Sequence, residues 1–357
     1  MGPGEGVADS MKVGLTFNEK KQEDPGGSSS PDAFLEWDDA KTIQAIAEAL
    51  RHRHQVVLIE ATGAYAERLR AERLDIVFNI AEGRFGPSRE AEVPATLERL
   101  GLPYTGSGPE TLSITLDKGR TNRLLKEAGI PTPEGVICEA SSSVYLNGLH
   151  FPLIVKPLWE GSSKGIPNSA LVTDRLGLHR ALERIYKRYR QPALVERFLE
   201  GREFTIALLG NPPALRVLPI VEIDFSALPR KAHPLYSYEA KWVWDTPESP
   251  LKLFVCPARI SSDLRTELES VAKRSFEILK CRDWCRIDLR LDGEGKPHVL
   301  EVNPLPGILP NPEQNSCFPK AARAAGLSYG ELIEEVLSIA CRRYGLNHAR
   351  TGYYPVR

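Results

Sequence analysis

Two short segments near residue 290 constrain this chain more than any other feature. Cys285-Arg-Ile-Asp-Leu-Arg-Leu291 and His298-Val-Leu-Glu-Val-Asn303 flank the turn-forming stretch Asp292-Gly-Glu-Gly295. Side chains alternate between faces along a strand, and Asp-Gly between alternating runs signals a hairpin. Arg286, Asp288 and Arg290 are therefore expected on one face, with Glu301 and Asn303 together on one face of the partner strand. The hairpin sets Asp288 beside Glu301. Three hard oxygen side chains, Asp288, Glu301 and Asn303, suit Mg²⁺, which takes a few carboxylates together with substrate phosphates. A solvated sheet face of alternating charge is the competing explanation. Two acids with no evident basic partner between them fit it poorly.

The 357 residues are long enough for two or three domains. Met11–Phe17 reads as a first strand, and residues 1–10 as a disordered extension ahead of it, with Met11 a candidate start. The Gly, Pro and Ser content of Glu19–Asp32 predicts a mobile loop. A helix over Asp38–Arg51, a strand over Gln55–Glu60, a helix over Ala64–Leu74, a buried strand over Asp75–Ile80 and a helix over Glu90–Leu100 follow, the last ending at Gly101. This rhythm predicts an α/β protein with a parallel sheet. Pro103–Gly108 reads as a turn-rich boundary, followed by a helix around Asp117–Ala128. Strands over Pro152–Pro157, Ala193–Phe198, Glu203–Leu209 and Arg216–Ile223 and helices over Leu176–Tyr189, Ser262–Leu279 and Tyr329–Arg343 complete the outline. Arg51-His-Arg-His54 reads as a solvated basic tip.

The formal charge of −1 gives no overall pull toward nucleic acid or an anionic membrane, so phosphate chemistry needs a local site. No apolar run approaches the ~20 residues of a membrane span. Cys138, Cys256, Cys281, Cys285, Cys317 and Cys341 are scattered; only Cys281 and Cys285 lie close, with no second ligand pair for zinc. Free thiols in a reducing cytoplasm are the expectation.

Leu158-Trp-Glu-Gly-Ser-Ser-Lys-Gly-Ile166 follows the strand that carries Lys156. Such a loop can offer N–H groups and hydroxyls to phosphate oxygens, or can be a plain flexible tip. No Walker A loop and no kinase glycine signature occurs. Lys156 in an apolar strand needs an anion or snorkels at a strand edge.

Taken in order, Asp117-Lys118, Ile154-Val-Lys-Pro157, Glu160-Gly-Ser-Ser-Lys-Gly165, Glu196, Glu203-Phe-Thr205, Tyr238-Glu-Ala-Lys241, Arg286-Ile-Asp288 and Glu301-Val-Asn-Pro-Leu-Pro-Gly307 resemble the D-alanine–D-alanine ligases of the ATP-grasp superfamily. The resemblance spans Lys12 to Gly345. It implies an ATP-grasp fold of three α/β domains: 11–106, 107–196 and 197–346, with a tail at 347–357 and the nucleotide between the second and third. It implies ATP and two Mg²⁺ ions as cofactors, small amino acids as partners, an acyl-phosphate intermediate, and compatibility with a homodimer that no residue pattern here marks. By resemblance, Lys118 and Lys156 contact ATP phosphates. Glu196, Phe198 and Leu199 line the adenine pocket, and Glu203 holds the ribose hydroxyls. Ser162 and Ser163 lie in the loop closing over the phosphates, and Lys241 reaches the γ-phosphate from a second lid. Asp288, Glu301 and Asn303 bind the metal ions. Arg286 and the N–H of Gly307 form an oxyanion hole, and Ser316 matches the position that holds a substrate carboxylate.

The departures from the family pattern fall at the amino-acid end. Thr16-Phe-Asn-Glu-Lys20 replaces the glycine-rich turn whose glutamate holds the first substrate's ammonium; Glu19 and Glu36 are the candidate substitutes. Glu82-Gly83 stands for the family's His-Gly, and Pro87–Pro94 also differs. Trp242 stands for a lid tyrosine, and indole can only donate. Ile308–Asn315 is longer than the family's loop between Gly307 and Ser316. Three functions remain: a divergent D-alanyl-D-alanine synthetase, a ligase of other amino acids or of an amino acid with a small amine, and a non-catalytic binding protein. Intact Lys156, Glu203, Arg286, Asp288, Glu301 and Asn303 argue against the third.

Overall fold

A computed structural model describes residues 10–20, 32, 34–139, 144–246 and 251–346. The expectations for residues 1–9, for 21–31 of the mobile loop and for the tail at 347–357 lie outside the described residues. Near the N-terminus come β1 (Lys12–Phe17), α1 (Ala40–Arg51), β2 (Gln55–Glu60), α2 (Tyr65–Ala71), β3 (Ile76–Asn79) and α3 (Glu92–Leu100). The three strands are parallel in the order β2-β1-β3, with Val13 opposite Val56 on one side and Ile76 on the other. Asp39 starts α1 by accepting from the Thr42 N–H. Gly101 closes α3 at φ 66°, a left-handed conformation that glycine adopts at little cost.

The stretch after the turn differs from expectation. It forms two helices, α4 (Pro109–Leu116) and α5 (Lys118–Glu127), where one was predicted. The first has proline in its opening turn and buries Thr111, Leu112, Thr115 and Leu116. The Thr115 hydroxyl donates back to the Thr111 carbonyl, so polar residues sit on the buried face and blur the apolar period. Asp117 leaves the helical conformation at ψ 98° and caps α5 by accepting from Arg120 N–H.

A second sheet, antiparallel, contains β4 (Gly135–Cys138), β5 (Leu153–Pro157), β6 (Leu171–Val172) and β7 (Ala193–Arg197), ordered β4-β7-β5-β6. One face is covered by α6 (Arg175–Tyr189), whose Leu178, Leu182 and Ile185 share a core with Val155 and Val195. The third sheet contains β8 (Glu203–Leu209), β9 (Arg216–Val217), β10 (Val221–Ile223) and β11 (Phe254–Val255). After α7 (Ser262–Ile278), it is completed by β12 (Trp284–Leu291) and β13 (Pro297–Asn303). Its order is β11-β10-β8-β12-β13, with β9 also on β8. Arg216–Ile223, expected as one strand, is split because Pro219 has no N–H to give the ladder.

The hairpin at β12–β13 has the predicted pairing. Asp288 faces Glu301 and Arg286 faces Asn303. A register shift after Asp288 then sets Leu289 opposite Val299 and Arg290 opposite His298. The chain ends in α8 (Cys317–Ala324) and α9 (Tyr329–Tyr344). Of these, α8 was not expected from the sequence; Phe318, Pro319, Ala321 and Ala322 bury one face of it.

The first sheet and the C-terminal helices share one core. Phe78 of β3, Trp284 of β12 and Phe318 of α8 meet edge to face, with ring centroids 5.8 Å apart on both sides of Trp284. His54, read from the sequence as solvated, is buried instead. It accepts from the Met11 N–H and pairs with Glu334 of α9. Asp283 ties the same elements together by accepting from Gly106 N–H, Asn211 and Arg343.

Trp284 offers a test of this shared core. Its indole N–H has no acceptor among the described residues, so its contribution is packing. Trp284→Ala is expected to cost about 3–5 kcal/mol, and Trp284→Phe clearly less, read from urea midpoints. Equal losses in the two variants would refute a packing role.

Candidate functional site

A cavity of about 330 Å³ lies on the polar face of β12, between the second and third sheets. Its walls come from β5, β7, β8, β12 and β13, from the 160–163 loop, from residues 235–242, from the 35–39 segment and from the 307–317 loop. Every sequence-predicted site residue except Asn303 lines it.

Strand register explains the β12 wall. Because Arg286, Asp288 and Arg290 alternate with buried Ile287 and Leu289, their side chains project together. Asp288 accepts from the Arg286 guanidinium at 3.0–3.3 Å, from Thr205 at 2.9 Å and from the Asn303 amide at 3.2 Å. Glu301 sits 2.9 Å from Lys118, whose ammonium also reaches the Glu160 carbonyl. Burial pushes the Glu301 carboxyl up, but Lys118 and Arg286 bring it below its ordinary value. Asp288, Glu301 and Asn303 therefore converge. No group of three His, Cys, Asp or Glu suited to a metal occurs among the described residues, so a metal site here needs the Asn303 amide oxygen as well as the two carboxylates. Arg286, assigned by resemblance to an oxyanion hole, is spent on Asp288 in this arrangement.

Lys156 does not snorkel. It is 6% exposed and lies 2.5 Å from Glu196, whose other oxygen accepts from Asn122. Phe198 and Leu199 are buried beside them. Glu203 faces Arg290 directly across β8 and β12 and pairs with it at 2.9 Å. Burial nonetheless raises the Glu203 carboxyl above its ordinary value. Arg290 was given no role from the sequence, although its place on the Arg286–Asp288 face was visible there.

The 160–165 loop is held from an unexpected side. Ser162 and Ser163 take left-handed φ values of 52° and 60°, a conformation that marks strained functional loops in non-glycine residues. The Ser163 hydroxyl donates to the Tyr236 carbonyl. Glu36 accepts from the Gly161 N–H at 2.7 Å, from Arg89 at 2.8 Å and from Lys164 at 3.2 Å. Lys164 of the same loop is consumed by Glu36 and Glu160. Burial opposes ionisation of Glu36, but Arg89 and Lys164 overcome it and bring the carboxyl down to about 2. Glu36 therefore reaches the cavity already committed to two cations, whereas Glu19 only bridges to Asp38 and does not line the cavity. Glu90 is pushed up to about 7 and Glu82 well above the usual range, burial leading in both.

Residues 240–244 form a π-helical turn. The Trp242 indole donates to the Ser162 carbonyl at 3.0 Å, which latches the two loops together. Lys241 lines the cavity, and its ammonium has no hydrogen bond to the described residues; burial, then the Arg286 charge, lowers that ammonium to about 8. At the far wall the Ser316 hydroxyl donates to the Gly307 carbonyl and accepts from Leu309 N–H, shaping the loop there. Asp38 lines the cavity with no cationic partner among the described residues, and burial raises it to about 7.

Comparison with known proteins sets this arrangement in a family. A family model described as D-ala D-ala ligase C-terminus matches residues 124–338. An uncharacterized protein of Sinorhizobium fredii is 37% identical over 89% of this chain and 93% of its own length. The D-alanine–D-alanine ligase of Nitrosomonas europaea is 35% identical over 84% of this chain and 90% of that protein, and that of Pelotomaculum thermopropionicum 32% over 94% and 98%. Among solved structures, the D-alanine–D-alanine ligase of Bacillus anthracis superposes with a TM-score of 0.72 at 26% identity, covering 94% of this chain and 99% of that one. The same enzyme complexed with ATP gives 0.70 at 24% identity, with the same coverage.

The Glu36 cluster generates a stability prediction. Glu36→Ala leaves Arg89 and Lys164 buried with Glu160 as their one remaining shared carboxylate; fully breaking a buried pair costs about 3–5 kcal/mol, so the expected loss lies at or below the lower end of that range. Because the folded carboxyl lies below its ordinary 4.5, near 2, the contribution is full above pH 4.5 and fades as pH falls toward 2. Urea unfolding at pH 7 and pH 3 should show the gap between wild type and variant narrowing at the lower pH.

Proposed function

Because this chain belongs to the D-alanine–D-alanine ligase family, we infer that it is an ATP-dependent ligase joining the carboxylate of one amino acid to the amine of another. The observation that carries this reading is the gathering of Lys118, Lys156, Lys241 and Arg286 with Asp288 and Glu301 on one cavity. We also propose the domain division 11–106, 107–196 and 197–346, with the nucleotide between the second and third, in a cytoplasmic enzyme whose cysteines stay reduced.

A carboxylate acylates poorly because its leaving group is oxide. Transfer of a phosphoryl group to that oxygen makes it a good leaving group, and an amine can then attack the acyl phosphate. Lys118 and Lys156 are assigned to the phosphate oxygens, where their charges offset repulsion. Lys241 enters from the lid. Arg286 is assigned to the oxyanion that forms on amine attack, together with the Gly307 N–H; one such donor is worth about 3–4 kcal/mol. The Trp242–Ser162 latch keeps water from the acyl phosphate.

The donor set fits magnesium. Two carboxylates face each other in register, an amide lies beside them, and Arg286 and Lys118 neutralise them where a dication would. Asp288, Glu301 and Asn303 would hold two Mg²⁺ ions, which supply charge neutralisation to the transferring phosphoryl group.

We propose D-alanine for both amino-acid sites, following the relatives' names. One observation favours ligation of other amino acids as a second reading: Glu36 is committed to Arg89 and Lys164, so the donor end is built differently. The deciding experiment measures ADP release over pairs of D- and L-amino acids with ATP and Mg²⁺, with mass spectrometry of the products. Dipeptide from D-alanine alone supports the first reading, and release only with another pair supports the second. No release with any pair would sink the ligase assignment.

Two variants probe the machinery. Glu301→Gln is expected to abolish turnover with the circular dichroism spectrum unchanged; turnover like wild type would contradict the metal assignment. Lys241, lowered to about 8, carries its charge below that pH and loses it above. ATP affinity should hold steady below about pH 7.5 and weaken above pH 8, and Lys241→Met should flatten that profile.

A further inference from the structure

The cavity contains a buried guanidinium whose donors are only partly used. Arg290 is 3% exposed and lines the cavity. Its Nε donates to the Gly201 carbonyl at 3.1 Å and its Nη1 to Glu203 at 2.9 Å. Its Nη2 is buried and has no acceptor. Among the described residues Arg290 is the one cavity-lining residue with a buried nitrogen that has no acceptor. Burying a charged donor without an acceptor is unfavourable, and natural sites keep such a group where a ligand completes it.

The rest of the side chain is fixed. The guanidinium lies 4.6 Å from the Phe198 ring centroid and 5.2 Å from that of Phe225. Gly201, its carbonyl partner, sits so close to β12 that a Cβ there would meet the Leu291 carbonyl at 2.5 Å. The fork is therefore held on three sides, and Nη2 cannot turn to another protein acceptor without breaking the Glu203 pair. Glu203, as a carboxylate, only accepts. Glu203 and Arg290 thus set a carboxylate acceptor and a guanidinium donor next to each other on the cavity wall.

We propose that Arg290 binds the nucleotide directly. Its Nη2 donates to a ribose hydroxyl oxygen of ATP while that ribose's hydroxyl hydrogens go to Glu203. This rests on the ligase reading, which supplies the nucleotide, and extends it to a sugar-specificity residue. A hydroxyl satisfied as donor and acceptor at once is recognised far better than one satisfied once, so the pair selects ribonucleotides over deoxynucleotides.

The test is equilibrium binding of ATP, 2′-deoxy-ATP and 3′-deoxy-ATP to the full chain with Mg²⁺. Wild type is expected to bind ATP about tenfold more tightly than the deoxynucleotide lacking the contacted hydroxyl, the size of one charge-assisted bond. Arg290→Met, which keeps contact with Phe198 and Phe225, should lose about tenfold in ATP affinity while its affinity for that deoxynucleotide stays put, so the ratio falls to near one. If Arg290→Met does not fold with Glu203 unpaired, Glu203→Gln compared with the Arg290→Met/Glu203→Gln double variant reads the same ratio. ATP binding unchanged by removal of Arg290 overturns the proposal. So does an equal loss for all three nucleotides, which would place the acceptor on the purine or make Arg290 purely structural. Wild type failing to bind any of the nucleotides would instead remove the ATP reading, and the proposal with it.

Discussion

The register of three neighbouring strands governs this site. With β12 between β8 and β13, Asp288 lies beside Thr205 on one side and Glu301 on the other, and Arg290 lies beside Glu203. Side-chain period along a strand is two, so a slip by one residue would turn this whole polar row into the apolar core and bring Ile287 and Leu289 into the cavity. Ile287, Leu289 and Val302 are almost wholly buried on the opposite face, and their burial is what forbids the slip. The chemistry of the cavity is thus specified by hydrophobic packing behind it.

A second constraint joins regions distant in sequence. Glu36 lies before α1, Arg89 before α3, and Gly161 and Lys164 after β5, yet they form one buried cluster. Arg89 also donates to the Trp159 carbonyl, so the same side chain braces the strand end that leads into the loop. Two cations share two carboxylates, Glu36 and Glu160, in a place where an unmatched charge would be costly. The loop that faces the ligand is therefore anchored from the N-terminal part of the chain, and its left-handed serines are held by contacts outside the loop.

The sequence made the carboxylate hairpin legible and the walls around Glu36 obscure, for a physical reason. Asp288 and Glu301 could be paired from alternation and a two-strand turn, because strand geometry is local. The parallel sheet around β1 was legible from the same periodicity. The Glu36–Arg89–Lys164 cluster was not, because its members are linked only by tertiary contact across 128 residues. Helix α4 was missed because Thr111 and Thr115 occupy its buried face, their hydroxyls donating to the Leu279 and Thr111 carbonyls. The break at Pro219 was visible in the sequence and was outweighed by the apolar run around it. His54 looked solvated because a basic dipeptide repeat hides that its last ring accepts the first backbone N–H of β1's lead-in.

The two ends of the cavity also differ in how free their charges are. At the proposed nucleotide end each of these carboxylates has a cation at hydrogen-bond distance: Glu196 has Lys156, Glu203 has Arg290, and Glu301 has Lys118. A polyphosphate bringing its own counter-ions can exchange with such pairs without leaving any member bare, so binding there requires little rearrangement of the walls. At the other end Asp38 has no cation among the described residues, and Glu36 is already engaged by Arg89 and Lys164. A ligand's ammonium can relieve an uncompensated carboxylate such as Asp38, so the cation a ligand carries is one basis for discrimination there. On the proposed assignment the nucleotide end stays constant while exchange of a single carboxylate or lid aromatic at the other end changes which amino acid is accepted.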